Sequence, residues 1–146
     1  GFVFYIEKFI REHDFWFDFY NTHSLENLLG TPEELTNILM SLWSSLCNDG
    51  LLKASLRIAL QDNPSEASIE IAKERDNQAL PLVELFSSSS SNPQRRKIQL
   101  AILTAGIQYL ALHKDISPFC GIDFNDLPIE ELREALQVVI DELDQR

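Results

Sequence analysis

The segment from Ile98 to Leu112 constrains the fold most, because it is apolar on almost every side at helical spacing. Only Gln99, Thr104 and Gln108 interrupt it. A one-sided surface helix carries its apolar residues on a single stripe, so we expect this helix to be buried on more than one side. The chain has no run of about eighteen uncharged apolar residues, which argues against a membrane span.

Prolines indicate where further helices begin. Thr31-Pro32-Glu33-Glu34 predicts a helix with Thr31 as N-cap, proline in the first turn and Glu34 closing a capping box. Asn63-Pro64 and Asn92-Pro93 predict two more starts with asparagine as cap, and Asp126-Leu127-Pro128 predicts a fourth. Sustained strand-like alternation is absent. We therefore predict one all-α domain over residues 1–146, a bundle of about five to seven helices.

Breaks and loops divide the rest of the chain. The apolar stripe that starts at Leu35 ends near Asn48-Asp49-Gly50, with the glycine expected just past the helix. Pro81 predicts a kink or break in the segment from Pro64 to Phe86. The polar run from Ser87 to Ser91 is typical of a flexible loop. The last segment, Ile129 to Leu143, is strongly amphipathic and predicts a helix with one wet face.

The opening segment, Phe2 to Tyr20, holds most of the chain's aromatic residues. A helix that packs through Ile6, Phe9, Ile10, Trp16 and Tyr20 is the favoured interpretation. A ligand cage built from these rings and a strand over Phe2 to Ile6 are the alternatives.

Composition excludes several functions. With 12 basic and 23 acidic residues the net charge is −11, which repels phosphate and makes this chain a poor partner for DNA or RNA. Cys47 and Cys120 are too isolated for a disulfide framework or a zinc spacing, and we find no secretory signal, so a reduced, cytoplasmic protein is expected. The histidines are dispersed, so no metal and no cofactor is predicted. Common hydrolase, metalloprotease and nucleotide-binding motifs are missing, which argues against an enzyme.

The types and spacing of several residues would also allow a ligand-binding site. Large or adaptable side chains with a few polar tips can line an apolar ligand cavity, and the candidates are Met40, Trp43, Cys47, Arg57 and Tyr109. The same residues are equally typical of an ordinary core, and spacing alone favours the core.

The C-terminal third carries a resemblance to a known family. A long apolar helix with small residues is followed by Ile116-Ser117-Pro118-Phe119-Cys120-Gly121-Ile122-Asp123-Phe124 and then by the amphipathic terminal helix. This order resembles the C-terminal end of TetR-family transcriptional regulators, and the aromatic-x-Gly-Ile-Asp-hydrophobic turn is its most characteristic part. The resemblance covers about Thr31 to Leu143, whereas the aromatic opening and the serine run depart from the family pattern.

The resemblance implies a homodimer in which the last two helices pair with those of a second copy as a four-helix bundle. Small residues would let the partner backbone approach closely. The expected interface consists of Ile102, Ala105, Gly106, Tyr109, Leu136, Val139, Ile140 and Leu143. The family also implies a pocket for a small hydrophobic effector and a separate N-terminal helix-turn-helix domain of about fifty residues, expected before Gly1, which alone would bind DNA.

The sequence thus predicts the effector-binding and dimerisation domain of a TetR-like regulator, a repressor that its ligand releases from DNA. The alternative is a helical protein-interaction or scaffold domain without a small-molecule ligand, whose aromatic opening helix docks a partner. A small helical enzyme with an unrecognised site is a third and weaker alternative.

Overall fold

The computed structural model describes residues 4–5, 8 and 14–144, and these are mostly helical. The elements in chain order are α1 (Phe15–Thr22), a 3₁₀ turn (Leu25–Asn27), α2 (Pro32–Asn48), α3 (Gly50–Ala59), α4 (Glu66–Gln78), α5 (Leu80–Ser87), α6 (Pro93–His113) and α7 (Ile129–Asp144). Within these residues the sole extended pairing is an isolated bridge between Phe119 and Ile122. The predicted all-α bundle is confirmed.

Two of the predicted helix starts are confirmed in atomic detail. The Thr31 hydroxyl accepts a hydrogen bond from the Glu34 backbone N–H at 3.2 Å, and a Glu34 carboxylate oxygen accepts one from the Thr31 N–H at 3.1 Å. This capping box satisfies N–H groups that the first helical turn leaves without a partner. At the start of α6 the Asn92 side chain accepts from the Arg95 N–H at 3.0 Å.

Two predicted cap positions are wrong. Asn63 does not cap α4, because its φ of 54° places it in the left-handed region and Pro64 follows it outside the helix. Ser65 is the cap instead and accepts from the Ser68 N–H at 3.1 Å. Gly50 is not a terminator beyond α2, since it is the first residue of α3 and Asp49 caps that helix.

The break expected near Pro81 is present. The helical segment is interrupted at Ala79, which ends α4, and Pro81 lies in the first turn of α5. Proline is compatible with this position because its missing N–H would have no partner inside the helix. The serine run that follows α5 forms turns and bends up to the start of α6, in agreement with the loop prediction.

Helix α2 is the centre of the bundle. It packs against both α6 and α7, and α5 adds a further contact to α6. Around it lies the apolar core, which includes Leu35, Ile38, Leu39, Leu42, Trp43 and Leu46 of α2 itself, Leu82 and Phe86 of α5, Leu100, Ile107 and Ala111 of α6, and Leu132, Leu136 and Ile140 of α7. The remaining helices pack around α4, which contacts α1, α3 and α5.

The aromatic opening segment is described only in part. Trp16 and Phe19 of α1 are buried, and the Tyr20 hydroxyl donates a hydrogen bond to the Gln78 carbonyl at the end of α4 at 2.5 Å. The packing expected of Trp16 and Tyr20 is therefore observed. Ile6, Phe9 and Ile10, which complete the predicted packing face, lie outside the described residues.

Candidate functional site

One side of α6 presents an apolar surface that no part of the described chain covers. Ile98, Ile102, Ala105 and Tyr109 are exposed and recur at spacings of four, three and four residues. Helical geometry places this row opposite the buried Leu100, Ile107 and Ala111. We call the row the outward face of α6. Ile102, near its middle, has 66% of its surface in contact with solvent.

Three rings in contact extend this face at the C-terminal end of α6. The ring of Tyr109 stacks on His113 with centroids 5.0 Å apart, and Tyr109 and Phe119 meet edge to face with centroids 5.3 Å apart. The Ser117 hydroxyl lies 2.9 Å from the Nε2 atom of His113. We call Tyr109, His113 and Phe119 the aromatic corner. Phe119 was not among the predicted interface residues, although its place beside the characteristic turn could have indicated it.

A tight turn holds Phe119 in place. The backbone N–H of Phe119 donates to the Ile122 carbonyl at 2.9 Å, and the N–H of Ile122 donates back to Phe119 at 3.0 Å. Between them Cys120 and Gly121 adopt φ values of 54° and 75°, which is the geometry of a two-residue type I′ turn. Glycine at the second position suits this left-handed conformation. The turn keeps Phe119 and Ile122 side by side at the surface.

Helix α7 contributes less to this surface than the sequence predicted. Leu136 and Ile140 are only 8% and 2% exposed and lie in the core of the protomer. Their assignment to an interface is therefore corrected. Val139 is exposed, and Leu143 is half-buried. The Leu143 carbonyl accepts a hydrogen bond from Arg96 Nη2 at 2.9 Å, which joins the end of α7 to the start of α6. On α6 itself, Gly106 is exposed with open space beside it.

Three of the five predicted ligand-binding residues lie together. Met40, Trp43 and Cys47 line an open cleft of about 380 Å³ between α2 and the start of α7, where Ile129, Glu130 and Arg133 complete the lining. Met40 and Trp43 are buried, and the Trp43 ring packs against Phe124 with centroids 6.1 Å apart. Both are therefore mainly core residues whose edges reach the cleft.

Cys47 contributes a thiol to the lining of this cleft. Burial raises the pKa of its thiol, and the ammonium groups of Lys114 and Lys53 only partly oppose that effect. A thiol with a raised pKa stays protonated at neutral pH and is a weak nucleophile. Cys47 is therefore not an activated nucleophile.

The other two predicted ligand residues do not converge on the cleft. Arg57 of α3 donates from Nη2 to the Leu112 carbonyl at 2.7 Å and so satisfies the last turn of α6. Tyr109 belongs to the aromatic corner. The predicted five-residue site is thus divided among a cleft, a helix terminus and a surface.

A second space lies inside the bundle. An apolar cavity of about 40 Å³ separates α1, α2, α5 and α6, and its walls include Trp16, Leu35, Ile38, Leu39, Ala79, Leu82, Val83, Phe86, Leu100 and Thr104. We call it the internal cavity. Pockets for drug-sized ligands measure about 300–1,000 Å³, so in this conformation the cavity is too small for such a molecule.

Neither a metal-ligand cluster nor a membrane-spanning helix is found in the described residues. No group of three or more His, Cys, Asp or Glu side chains in them is arranged to hold a metal ion. No helix in the described ranges is long and apolar enough to cross a membrane.

Comparisons with protein-family models, curated proteins and solved structures returned no match. The resemblance to TetR-family regulators therefore stays a prediction from the sequence.

Proposed function

We propose that this chain is the dimerisation and effector-responsive domain of a TetR-like transcriptional regulator. The observation that supports this most is the outward face of α6, a row of apolar side chains opposite the core along the longest helix. A contiguous apolar row of this kind is typical of a protein–protein contact surface. In the proposed dimer two copies of this row pack against each other about a twofold axis.

The composition of the face suits a helix-to-helix contact. Ala105 has a short side chain and Gly106 has none, so a second helix can approach closely between Ile102 and Tyr109. Full burial of an isoleucine side chain contributes about 1.5–3 kcal/mol. Ile98 and Ile102 are 54% and 66% exposed, so each would contribute a part of that free energy when the dimer covers it. The aromatic corner and Val139 extend the contact at its edges.

In the same proposal the internal cavity is the starting point of the effector site. Its walls are apolar apart from Thr104, whose hydroxyl bonds to the Leu100 carbonyl at 2.8 Å, so they favour a hydrophobic ligand. A ligand larger than the cavity would displace α5, which has 8 residues and is separated from α4 by the break at Ala79. Since α5 packs on α6, that displacement would reach the dimer helix.

DNA contacts are assigned in this proposal to a separate basic helix-turn-helix domain. The net charge of −11 makes this chain unsuitable for holding phosphates.

Sedimentation equilibrium of Ile102→Asp tests the dimer. The wild type is expected to be a dimer at micromolar concentration, whereas Ile102→Asp places a charge in the contact and should give a folded monomer with unchanged circular dichroism. Ile69→Asp is the matched control, since Ile69 of α4 is also partly exposed but lies away from α6. A monomeric wild type would contradict the proposal.

Thermal shifts with a panel of apolar compounds test the effector site. Stabilisation of the wild type that is lost in Val83→Leu, where an added methylene fills the internal cavity, is the expected result. If the wild type dimerises but no apolar compound stabilises it, the effector role fails and the interaction-domain alternative is favoured.

A further inference from the structure

A second surface, on the other side of α7, has a different chemistry from the outward face of α6. A groove of about 830 Å³ runs between the first turn of α2 and α7, and it is lined by Thr31, Pro32, Glu33, Arg133, Glu134, Gln137, Val138 and Asp141. We call it the acidic groove. Neither the proposed dimer nor the proposed effector site uses it.

The floor of the acidic groove is apolar. Val138 is 56% exposed, and Pro32 at the start of α2 lines the same groove. Val138 and Val139 are consecutive, so their side chains point about 100° apart around the helix. Val139 can therefore belong to the dimer contact while Val138 stays open to a different partner.

Carboxylates dominate the rim of the groove. Glu33 and Glu134 make no hydrogen bond or ion pair with the described residues, and Asp141 accepts only the amide of Gln137 at 3.0 Å. Some acidic groups elsewhere are paired with a cation, as when Glu84 pairs with Lys97 at 2.8 Å.

The cation that lines the groove offsets only part of this charge. Arg133 donates from Nη1 to the Asn37 side-chain oxygen at 2.6 Å and makes no ion pair with the rim carboxylates. The lining thus holds three carboxylates and one guanidinium.

We propose that the acidic groove docks a basic amphipathic segment of a partner protein. The charges argue for this occupant, because lysine or arginine side chains would pair with Glu33, Glu134 and Asp141 while an apolar side chain covers Val138 and Pro32. Glu134, Val138 and Asp141 are spaced four and three residues apart, so they share one face of α7 and can contact the same partner segment. The net charge of −11 adds long-range attraction for a cationic partner.

Fluorescence anisotropy with a defined probe tests this proposal. The probe is a labelled peptide in which leucine recurs every third or fourth position between lysine and arginine residues, and its scrambled sequence serves as the reference. At about 50 mM salt, Glu33→Gln/Glu134→Gln/Asp141→Asn should bind the probe roughly ten-fold more weakly than the wild type. The scrambled peptide should bind the wild type more weakly than the ordered one.

A matched triple variant separates the groove from general attraction to an acidic protein. Asp62→Asn/Glu66→Gln/Glu74→Gln removes the same charge from exposed positions in and before α4, with Glu66 in a first helical turn as Glu33 is. It lowers only the long-range attraction, so it should weaken the probe much less than the groove variant does. Equal weakening in both triple variants would overturn the proposal.

The apolar floor gives an independent readout. Val138→Asn removes the apolar contact without adding a charge, so it should weaken the ordered peptide without changing the helix content or the dimer, since Val138 lies outside the proposed contact. Unchanged affinity in Val138→Asn would also overturn the proposal. The dimer is measured separately by sedimentation, so failure of the groove and failure of the dimer are distinguishable.

Discussion

At the scale of single residues, Asp115 joins three separate parts of the fold. Its carboxylate accepts from Lys53 Nζ of α3 at 2.9 Å and from Lys114 Nζ at the end of α6 at 3.2 Å. Lys114 also donates to the Asn125 side chain at 2.8 Å, and Asn125 donates back to the Lys114 carbonyl at 2.8 Å. This cluster fixes the connection that leads from α6 to α7.

The cluster predicts an unusual titration. Hydrogen bonds from Lys53 and Lys114 lower the pKa of Asp115 from 3.8 to about 2. Because the folded pKa is depressed, the contribution of Asp115 to stability is present above pH 3.8 and is lost as the pH falls through about 2. In an NMR titration of the carboxyl groups, Lys53→Met should move the Asp115 midpoint back towards 3.8. A wild-type midpoint already at the ordinary value would contradict the cluster.

Residue-scale features were predictable where a motif is local. The capping box at Thr31 and Glu34 closes within one turn, so four consecutive residues contain all the information. The prediction of Asn63 as the cap was wrong because asparagine and serine can both cap a helix, and the sequence offers one of each before α4. Asn63 has a left-handed φ, and the Ser65 side chain makes the cap hydrogen bond instead. The bond between Lys53 and Asp115 joins positions far apart in sequence, and no local pattern indicates it.

At the scale of helices, α2 carries most of the packing. The capping box stabilises its N-terminal end, and α6 and α7 enclose its apolar stripe. Sequence periodicity predicted this stripe and the amphipathic α7. It could not divide the apolar residues of α7 between core and surface, because Leu136, Val139 and Ile140 belong to one continuous stripe of the same chemistry.

Burial within these helices predicts a contrast between two leucines. Leu46 of α2 has no exposed surface, so Leu46→Ala should lower the free energy of unfolding by about 3 kcal/mol through lost transfer energy and the cavity left behind. Leu60, just after α3, is 74% exposed, and Leu60→Ala should change stability by less than about 0.5 kcal/mol. Urea unfolding of both variants at one protein concentration measures the difference. Similar losses in the two would show that α2 is not the centre of the core.

At the scale of the whole molecule, the two proposed contact surfaces lie on different sides of α7. The outward face of α6 is defined by four uncharged residues, whereas the acidic groove lies on the far side of α7. Composition predicted the net charge but not where these two surfaces lie. The ligand residues show the same limit, since Arg57 and Tyr109 are distributed by the tertiary fold to places that their spacing does not specify.

The net charge predicts how the proposed dimer responds to salt. Two copies of −11 each repel one another, and added salt screens that repulsion while the apolar contact persists. Raising NaCl from about 0.05 M to about 0.5 M should therefore tighten the dimer, as measured by sedimentation equilibrium. An equal osmolality of sucrose, which does not screen charge, should tighten it less. Weaker association at high salt would indicate that ion pairs rather than apolar contacts hold the dimer.

The central position of α2 also affects how the chain folds during synthesis. Its buried side packs on α6 and α7, which begin at Pro93 and Ile129, so both partners leave the ribosome after it. Contacts between segments so far apart in sequence close slowly, because a long loop must first be ordered. Until those helices emerge, the apolar stripe of α2 lacks the partners that cover it in the folded protein. In that interval it can bind chaperones or aggregate.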